Sequence, residues 1–215
     1  MKIPRDWTFK KFYIAKGFDR HVREQLPWYD LATEIVKHIA RHYLNRGGLV
    51  YDIGASTGNV GKAISDIVKN RGASLIAIDN SEEMVKLYSG PGKIELANAE
   101  EYEYKNFDIA ICFLSLLFLS QEKRKYLIQR LLGKVRKGGA IIIFDKEEPS
   151  KGYVSIIKVR LALAGKLASG ATAKEIIEKE LSLSGIQRPI SKNELPREAQ
   201  EIFRFGDFFG VIIEG

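Results

Sequence analysis

The sequence predicts an α/β fold built on a doubly wound, mainly parallel sheet. Two observations carry that expectation. From Leu49 onward, short apolar runs alternate with amphipathic segments of helical period. Several of the runs, such as "FDIAICFL" and "AIIIFD", are apolar on both faces, as strands covered on both sides by helices must be.

Taken in order, "LVYDIG" reads as the first strand, "GNVGKAISDIVKNRG" as a helix closed by Gly72, and "SLIAID" as the second strand. "SEEMVKLYS" starts a helix with Ser81 as N-cap and Glu82 and Glu83 in the first turn, where the helix dipole favours negative charge. "KIELAN" and "FDIAICFL" follow as strands, "SQEKRKYLIQRLLGKVR" as a helix ending before Gly138 and Gly139, and "AIIIFD" as the fifth strand. Ahead of this core, Asp30 to Leu44 reads as a helix with Leu31, Ile35, Ile39 and Tyr43 on one face. Behind it, Val154 to Leu183 reads as helical with Gly165 and Gly170 interrupting, and "EIFRFGDFFGVIIEG" as two strands joined around Gly206 and Asp207.

A chain of 215 residues fits one domain with a real core. The longest apolar run, Ile109 to Leu119, is too short to span a bilayer, and the first residues lack the apolar core of a signal peptide. One cysteine forms no internal disulfide and three histidines show no metal-ligand spacing, so a soluble cytoplasmic protein without a metal is expected. The net charge of +7 is uneven: residues 1–48 hold ten basic and five acidic residues, residues 49–150 fourteen of each, and residues 151–215 ten against eight. A basic N-terminal layer suits an anionic or nucleic-acid substrate, although solvated basic helix faces are common.

The stretch "LVYDIGASTGNVG" raises the question of its ligand. Ser56 stands where a dinucleotide loop wants its first glycine, and Lys62 is followed by Ala63, so neither a dinucleotide fingerprint nor a nucleotide-triphosphate loop is complete. Asp52, two residues before Gly54, would repel a pyrophosphate but attract a cationic amine. Asp79, at the end of the second strand, is placed to accept hydrogen bonds from ribose hydroxyls. Asn98 and Ala99 end the third strand, where an adenine ring would sit. An adenosine with a cationic amino-acid tail and no phosphate is S-adenosylmethionine.

"YDIGASTG" with "IAIDNSEEM", then "FDIAICFLSLLFL" and "RKGGAIIIFDK", resembles the class I S-adenosylmethionine-dependent methyltransferases over about residues 49–148. The resemblance implies a Rossmann-like, seven-stranded sheet with an antiparallel C-terminal strand. It also implies an N-terminal helical cap over 1–48 and a cofactor-binding domain over 49–215, forming one compact unit. Within that superfamily "GFDRHVREQLPWYD", "YDIGASTG", "IAIDNS" and the closing aromatic segment resemble the carboxy-S-adenosylmethionine synthases, which serve tRNA wobble-uridine modification. Methyltransferase-like proteins of tailed phages look similar in the same blocks. The narrower resemblance implies that Tyr29 contacts the methionine end of the cofactor, and that Asp79, Asn80 and Asn98 hold its nucleoside. The full expected cofactor set is Tyr29, Asp52, Gly54, Ser56, Gly58, Asp79, Asn80, Asn98, Ala99 and Cys112. Two departures matter: Glu180 falls where that family places an arginine for its product's carboxylate, and Cys112 where it places an asparagine. A carboxylate does not replace a guanidinium, so Glu180 is expected to disfavour a carboxylated product and to leave ordinary methyl transfer.

Methyl transfer needs mainly a positioned acceptor and, at most, a base. No Asp-Pro-Pro-Tyr or Pro-Cys element of the DNA base methyltransferases occurs, and Cys112 reads as a small buried hydrophobe. Acceptor-side candidates are Asp19, Arg20, His21, Arg23, Trp28, Lys146, Glu180 and Arg188, with His21, Glu180 and Arg188 as the catalytic candidates. The acceptor is expected to be a small molecule or a nucleic-acid component, and a homodimer is a candidate assembly. A non-catalytic S-adenosylmethionine-binding module and a nicotinamide-dependent oxidoreductase remain the alternatives.

Overall fold

The computed structural model describes residues 3–215. Seven strands form one sheet in the order β3-β2-β1-β4-β5-β7-β6. These are β1 (Leu49–Ile53), β2 (Ser74–Asp79), β3 (Lys93–Leu96), β4 (Phe107–Phe113), β5 (Val135–Lys146), β6 (Gln200–Phe205) and β7 (Phe208–Glu214). The first five run parallel, and β7 lies antiparallel between β5 and β6. The chain steps outward from β1 to β3 and then returns to β4, and that reversal opens a crevice at the carboxyl ends of β1 and β4.

The sheet separates two apolar layers, because side chains alternate along each strand. In β4, Ile109, Ile111 and Phe113 face one core; Ala110 and Cys112 face the other. The first core lies under α2 (Tyr29–Tyr43) and α3 (Asn59–Asn70), the second under α5 (Gln121–Leu132). The remaining helices are α1 (Phe12–Gln25), α4 (Glu82–Leu87), α6 (Tyr153–Ala168) and α7 (Ala173–Ser182). Ser81 caps α4 as expected, its hydroxyl accepting the N–H of Met84.

Three local expectations are corrected. α2 buries Ala32, Val36 and Ala40 rather than the stripe of larger residues, and Leu31 is 61% exposed. Small side chains let the helix lie close to the sheet, while Ile35, Ile39 and Tyr43 pack along its flank. α1 is a helix that the apolar spacing left unread; Lys11 offers it no side-chain cap, and it buries His21 and Gln25 beside Ile14 and Val22. α6 runs through Gly165, because that glycine permits close approach: a Cβ there would stand 3.0 Å from Pro27 Cγ. The break falls at Gly170, and Thr172 with Glu175 then forms a capping box for α7.

A buried ion pair secures the segment before β6. Arg124 of α5, fully enclosed, donates to both carboxylate oxygens of Glu194 and to the carbonyls of Arg188 and Pro189.

Candidate active site

A cleft enclosing ≈ 1000 Å³, its open mouth included, lies over the carboxyl ends of β1, β2 and β4. The loop after β1 forms its floor. Gly54 takes φ +74, and a Cβ there would meet the Ser115 side chain at 2.5 Å, so both its conformation and its surroundings require glycine. Ser56 also has a positive φ of 53, held by its N–H donating to Asp79 Oδ2 at 2.8 Å. Asp79 takes a second backbone donor, Ser81 N–H, on Oδ1 at 2.9 Å.

Asp52 is buried to 1% and lines the cleft, and its Oδ2 has no hydrogen-bond partner. Burial pushes its pKa up to about 7; the Gly61 N–H opposes the rise and nearby Asp79 adds to it. A buried carboxylate oxygen without a partner, on a residue that lines a cleft, suits a cationic group nearby. Burial likewise raises Asp79, against the N–H groups of Ser81, Ser56 and Asn80.

The structure brings Tyr29, Asp52, Gly54, Ser56, Asp79, Asn80 and Ala99 together around this one cleft. Tyr29 enters from α2, its ring edge-on to Phe113 with 5.3 Å between centroids and Arg23 over its other side. Asn98 stands at the rim: it accepts from Asn80 Nδ2 at 3.2 Å and points its own amide toward Glu101. Gly58 does not line the cleft. It starts α3 with φ +89 and lets the backbone of Gly90 and the ring of Tyr88 press close behind it.

Cys112 belongs to the opposite core and does not reach the cleft, and burial drives its thiol pKa far up. The side chain on the cleft face is the next one, Phe113, followed by Leu114 and Ser115. A one-residue step along a strand exchanges faces, which is why position alone misassigned it. Sequence reasoning also missed Phe9, Phe18, Asn59 and Met84, the first two because α1 and the segment leading into it were unread.

A second cavity, ≈ 680 Å³ with its mouth, shares Phe9, Phe18, Leu114 and Phe118 with the first. It gathers His21, Gln25, Lys146, Lys166, Lys179 and Glu180. Trp7 stacks on His21 with 5.5 Å between ring centroids, and Lys179 lies over the Trp7 ring. His21 Nε2 and Gln25 Oε1 are buried without partners. Burial, then Lys179, lowers the His21 pKa to about 4, so the imidazole is neutral at physiological pH. Burial also lowers Lys179 to about 5.

Glu180 does not face this cavity as a free carboxylate. Lys166 donates to it at 2.6 Å; burial acts to raise its pKa, but Lys166, Lys146 and Lys179 hold it low. The charge that Glu180 was expected to turn on a second carboxylate is thus offset by its pair with Lys166, with Lys146 beside them.

The other acceptor-side candidates disperse. Asp19 ties α1 to the loop after β1 by accepting from Thr57 and Asn59. Arg20 pairs with Glu24 and Arg23 with Asp30 on the surface. Trp28 packs in the core against Phe203 and Phe208. Arg188 is exposed and lines neither cavity; its backbone is engaged through Leu117 and Arg124.

Residues 50–139 match a family model described as "Methyltransferase domain". Across 97% of its length the chain is 30% identical to the carboxy-S-adenosyl-L-methionine synthase of Staphylococcus epidermidis, covering 97% of that protein. It is 28% identical to the corresponding synthase of Sulfurimonas denitrificans, covering 91% of this chain and 89% of the relative. The fold is shared with magnesium protoporphyrin IX methyltransferase of Synechocystis PCC 6803 with bound SAH (TM-score 0.59, 15% identity, 94% of this chain and 95% of that one). The plantazolicin methyltransferase BpumL in complex with SAH is likewise similar in fold (TM-score 0.63, 14% identity, 94% and 89%). The cleft fits that family's cofactor: Asp52 offers an unpartnered carboxylate for a cationic end, and Asp79 lies at the end of β2 for a ribose. With this sheet, this cleft and a relative matched end to end, the chain belongs to the S-adenosylmethionine-dependent class I methyltransferases, in the branch that holds the carboxy-S-adenosyl-L-methionine synthases.

Proposed function

We propose that this protein transfers the methyl group of S-adenosylmethionine to a small anionic molecule bound in the second cavity. The observation that carries this reading is that the two cavities adjoin, with Phe9, Phe18, Leu114 and Phe118 lining both. Bound S-adenosylmethionine supplies an activated methyl group on a sulfonium, already a good leaving group. The chain's own residues hold and orient. Asp79, with Asn80 and Asn98, takes the ribose side; Ala99 borders the adenine; Gly54 and Ser56 give close backbone approach; and Asp52 and Tyr29 meet the amino-acid end. Gly58 supports the loop from behind. The first 48 residues act as a cap on a cofactor-binding domain of residues 49–215.

On the acceptor side, Lys146 attracts a carboxylate or phosphate group, the neutral amine of Lys179 offers it a hydrogen bond, and the Lys166–Glu180 pair adds no net charge of its own. His21, neutral and with Nε2 unpartnered, is the base able to take a proton from the acceptor. A cavity of this size favours a small molecule over a folded nucleic acid. No helix among the described residues is long and apolar enough to cross a membrane; we place the protein in the cytoplasm as a homodimer. A second reading, a carboxy-S-adenosylmethionine synthase-like activity in tRNA modification, is favoured by the relatives matched over the whole chain and by the lysines around Glu180. Calorimetric titration tests the base of both: S-adenosylmethionine and S-adenosylhomocysteine should bind and NAD should not. Tighter binding of NAD would refute the proposal, and binding without turnover of any acceptor would favour a non-catalytic module.

A further inference from the structure

Among the described residues, two that are not glycine have a positive φ, Ser56 and Leu114, and both line the first cavity. Ser56 is held in place by its N–H bond to Asp79. Leu114 is the more strained of the two. It takes φ 56 immediately after β4, in the left-handed region that glycine enters freely and a bulky side chain avoids. Leucine has no polar group with which to bond its own backbone in compensation. Strain of this kind persists only where the surroundings over-determine it, and it gathers at functional sites.

The surroundings of Leu114 do so. Its N–H donates to the Phe144 carbonyl at 2.7 Å, where β4 pairs with β5. Ser115 follows, packed so closely on the loop after β1 that a Cβ on Gly54 would stand 2.5 Å from its own Cβ. The Leu117 N–H then donates to Asp145 Oδ2 at 3.2 Å, and the Phe118 N–H to the Ser115 carbonyl at 3.2 Å. The turn is pinned on both sides. A fixed backbone fixes the direction of the Cα–Cβ bond, and with it the edge that the side chain covers.

That edge is the boundary between the two cavities. Leu114 is the only aliphatic residue among the described residues that lines both. The other three are Phe9, Phe18 and Phe118, and Phe9 stands edge-on to Phe18 and Phe118 with centroid distances of 5.8 and 5.1 Å. Rings interlocked in this way form a wall of set shape, and one branched aliphatic side chain completes the boundary.

We infer that Leu114 sets the size of the group that the cofactor's sulfonium can carry, so that the cleft accepts a methyl substituent and rejects a longer one. The inference deepens the proposed function and rests on its placing of S-adenosylmethionine in the first cavity. A methyl group passed to an acceptor in the second cavity must point at the boundary, where Leu114 stands. One extra methylene in a close-fitting apolar pocket is discriminated by roughly 10–200-fold, so a single side chain is sufficient.

Calorimetric titration of the full chain with S-adenosylmethionine, S-adenosylhomocysteine and the S-ethyl analogue S-adenosylethionine tests this, in the wild type and in Leu114→Ala, Leu114→Gly and Leu114→Asn. Glycine and asparagine tolerate the left-handed turn, so those two variants should fold. The wild type should bind the ethyl analogue at least about tenfold more weakly than S-adenosylmethionine. In the variants the two should bind within about threefold of each other, while S-adenosylhomocysteine, which has no third substituent on sulfur, should keep its affinity within about threefold. Leu114→Gly should also melt above Leu114→Ala, because only glycine takes the turn without strain; the reverse order would remove the strained turn on which the inference stands. Equal binding of the methyl and ethyl cofactors by the wild type would overturn it. So would variants that lose all three ligands in parallel with the ethyl-to-methyl ratio unchanged, and either result would leave the cofactor reading intact. A wild type that binds neither S-adenosylmethionine nor S-adenosylhomocysteine would refute the cofactor reading, and the inference with it.

Discussion

The N–H of Ser56 donates to Asp79 Oδ2 at 2.8 Å, joining the loop after β1 to the end of β2 in one wall of the cleft. Asp79 accepts from Ser56 on Oδ2 and from Ser81 on Oδ1, and a carboxylate with about four acceptor sites has capacity left for a further donor. One side chain thus sets the loop's shape and lines the cleft proposed to hold the cofactor.

Asp79→Ala should weaken S-adenosylmethionine binding by about 1–3 kcal/mol, the cost of losing hydrogen bonds to a charged partner. Calorimetry on wild type and variant checks this; equal dissociation constants would remove Asp79 from the site.

Asp52 should make cofactor binding depend on pH. Burial raises its pKa to about 7, and a cationic ligand favours the ionised form, so affinity should rise from pH 5.5 through 7 with release of a proton below that range. Asp52→Asn should flatten the profile. The sign for stability is opposite: a carboxyl whose folded pKa exceeds its unfolded one stabilises the fold below pH ~4 and loses that contribution as pH rises through about 7. Asp145, also raised to about 7 by burial against the N–H groups of Lys146 and Leu117, adds to the same trend. Thermal denaturation without cofactor should show a melting temperature falling from pH 5 to 8, and S-adenosylmethionine should reduce the fall.

His21 should titrate near pH 4, because burial and Lys179 both resist its protonation. Imidazole proton shifts measured by NMR against pH should remain at their neutral values down to about 5. A midpoint near 6.5 would mean that water reaches the ring freely and that the second cavity is not the enclosed site described.

Arg124→Met should destabilise the fold by about 3–5 kcal/mol, since Glu194 would be left buried and unpaired. The double variant Arg124→Met/Glu194→Leu should recover much of the loss. Denaturant unfolding of the two proteins tests the pair; equal stability would show that the ion pair is not what fixes the segment from Arg188 to Glu194.

The succession of strands and helices from Leu49 to Asp145, the helix start at Ser81 and the glycine-rich loop follow local rules and were legible in the sequence. The cleft residues at strand ends were legible for the same reason: Asp52 and Asp79 end strands whose apolar runs are unmistakable. What escaped was decided by tertiary contact. The Phe113 and Cys112 faces differ by one residue in a strand buried on both sides, where no polar alternation marks the register. α1 and the segment before it bring Phe18 and Phe9 to the cleft from a stretch whose charged residues hide its apolar face. The ion pair between Lys166 and Glu180 spans fourteen residues and two helices, so Glu180 alone gave the wrong sign for the cavity.

The central claim, methyl transfer to an anionic small molecule, is tested most directly by mass spectrometry after incubating the purified protein with methyl-labelled S-adenosylmethionine and a small-molecule extract. The predicted result is one labelled acidic metabolite formed in equal amount with S-adenosylhomocysteine, lost in His21→Ala and reduced in Lys146→Ala. A cofactor recovered heavier than S-adenosylmethionine by one CO2 unit, with no labelled acceptor, would contradict it and establish the carboxy-transfer reading instead.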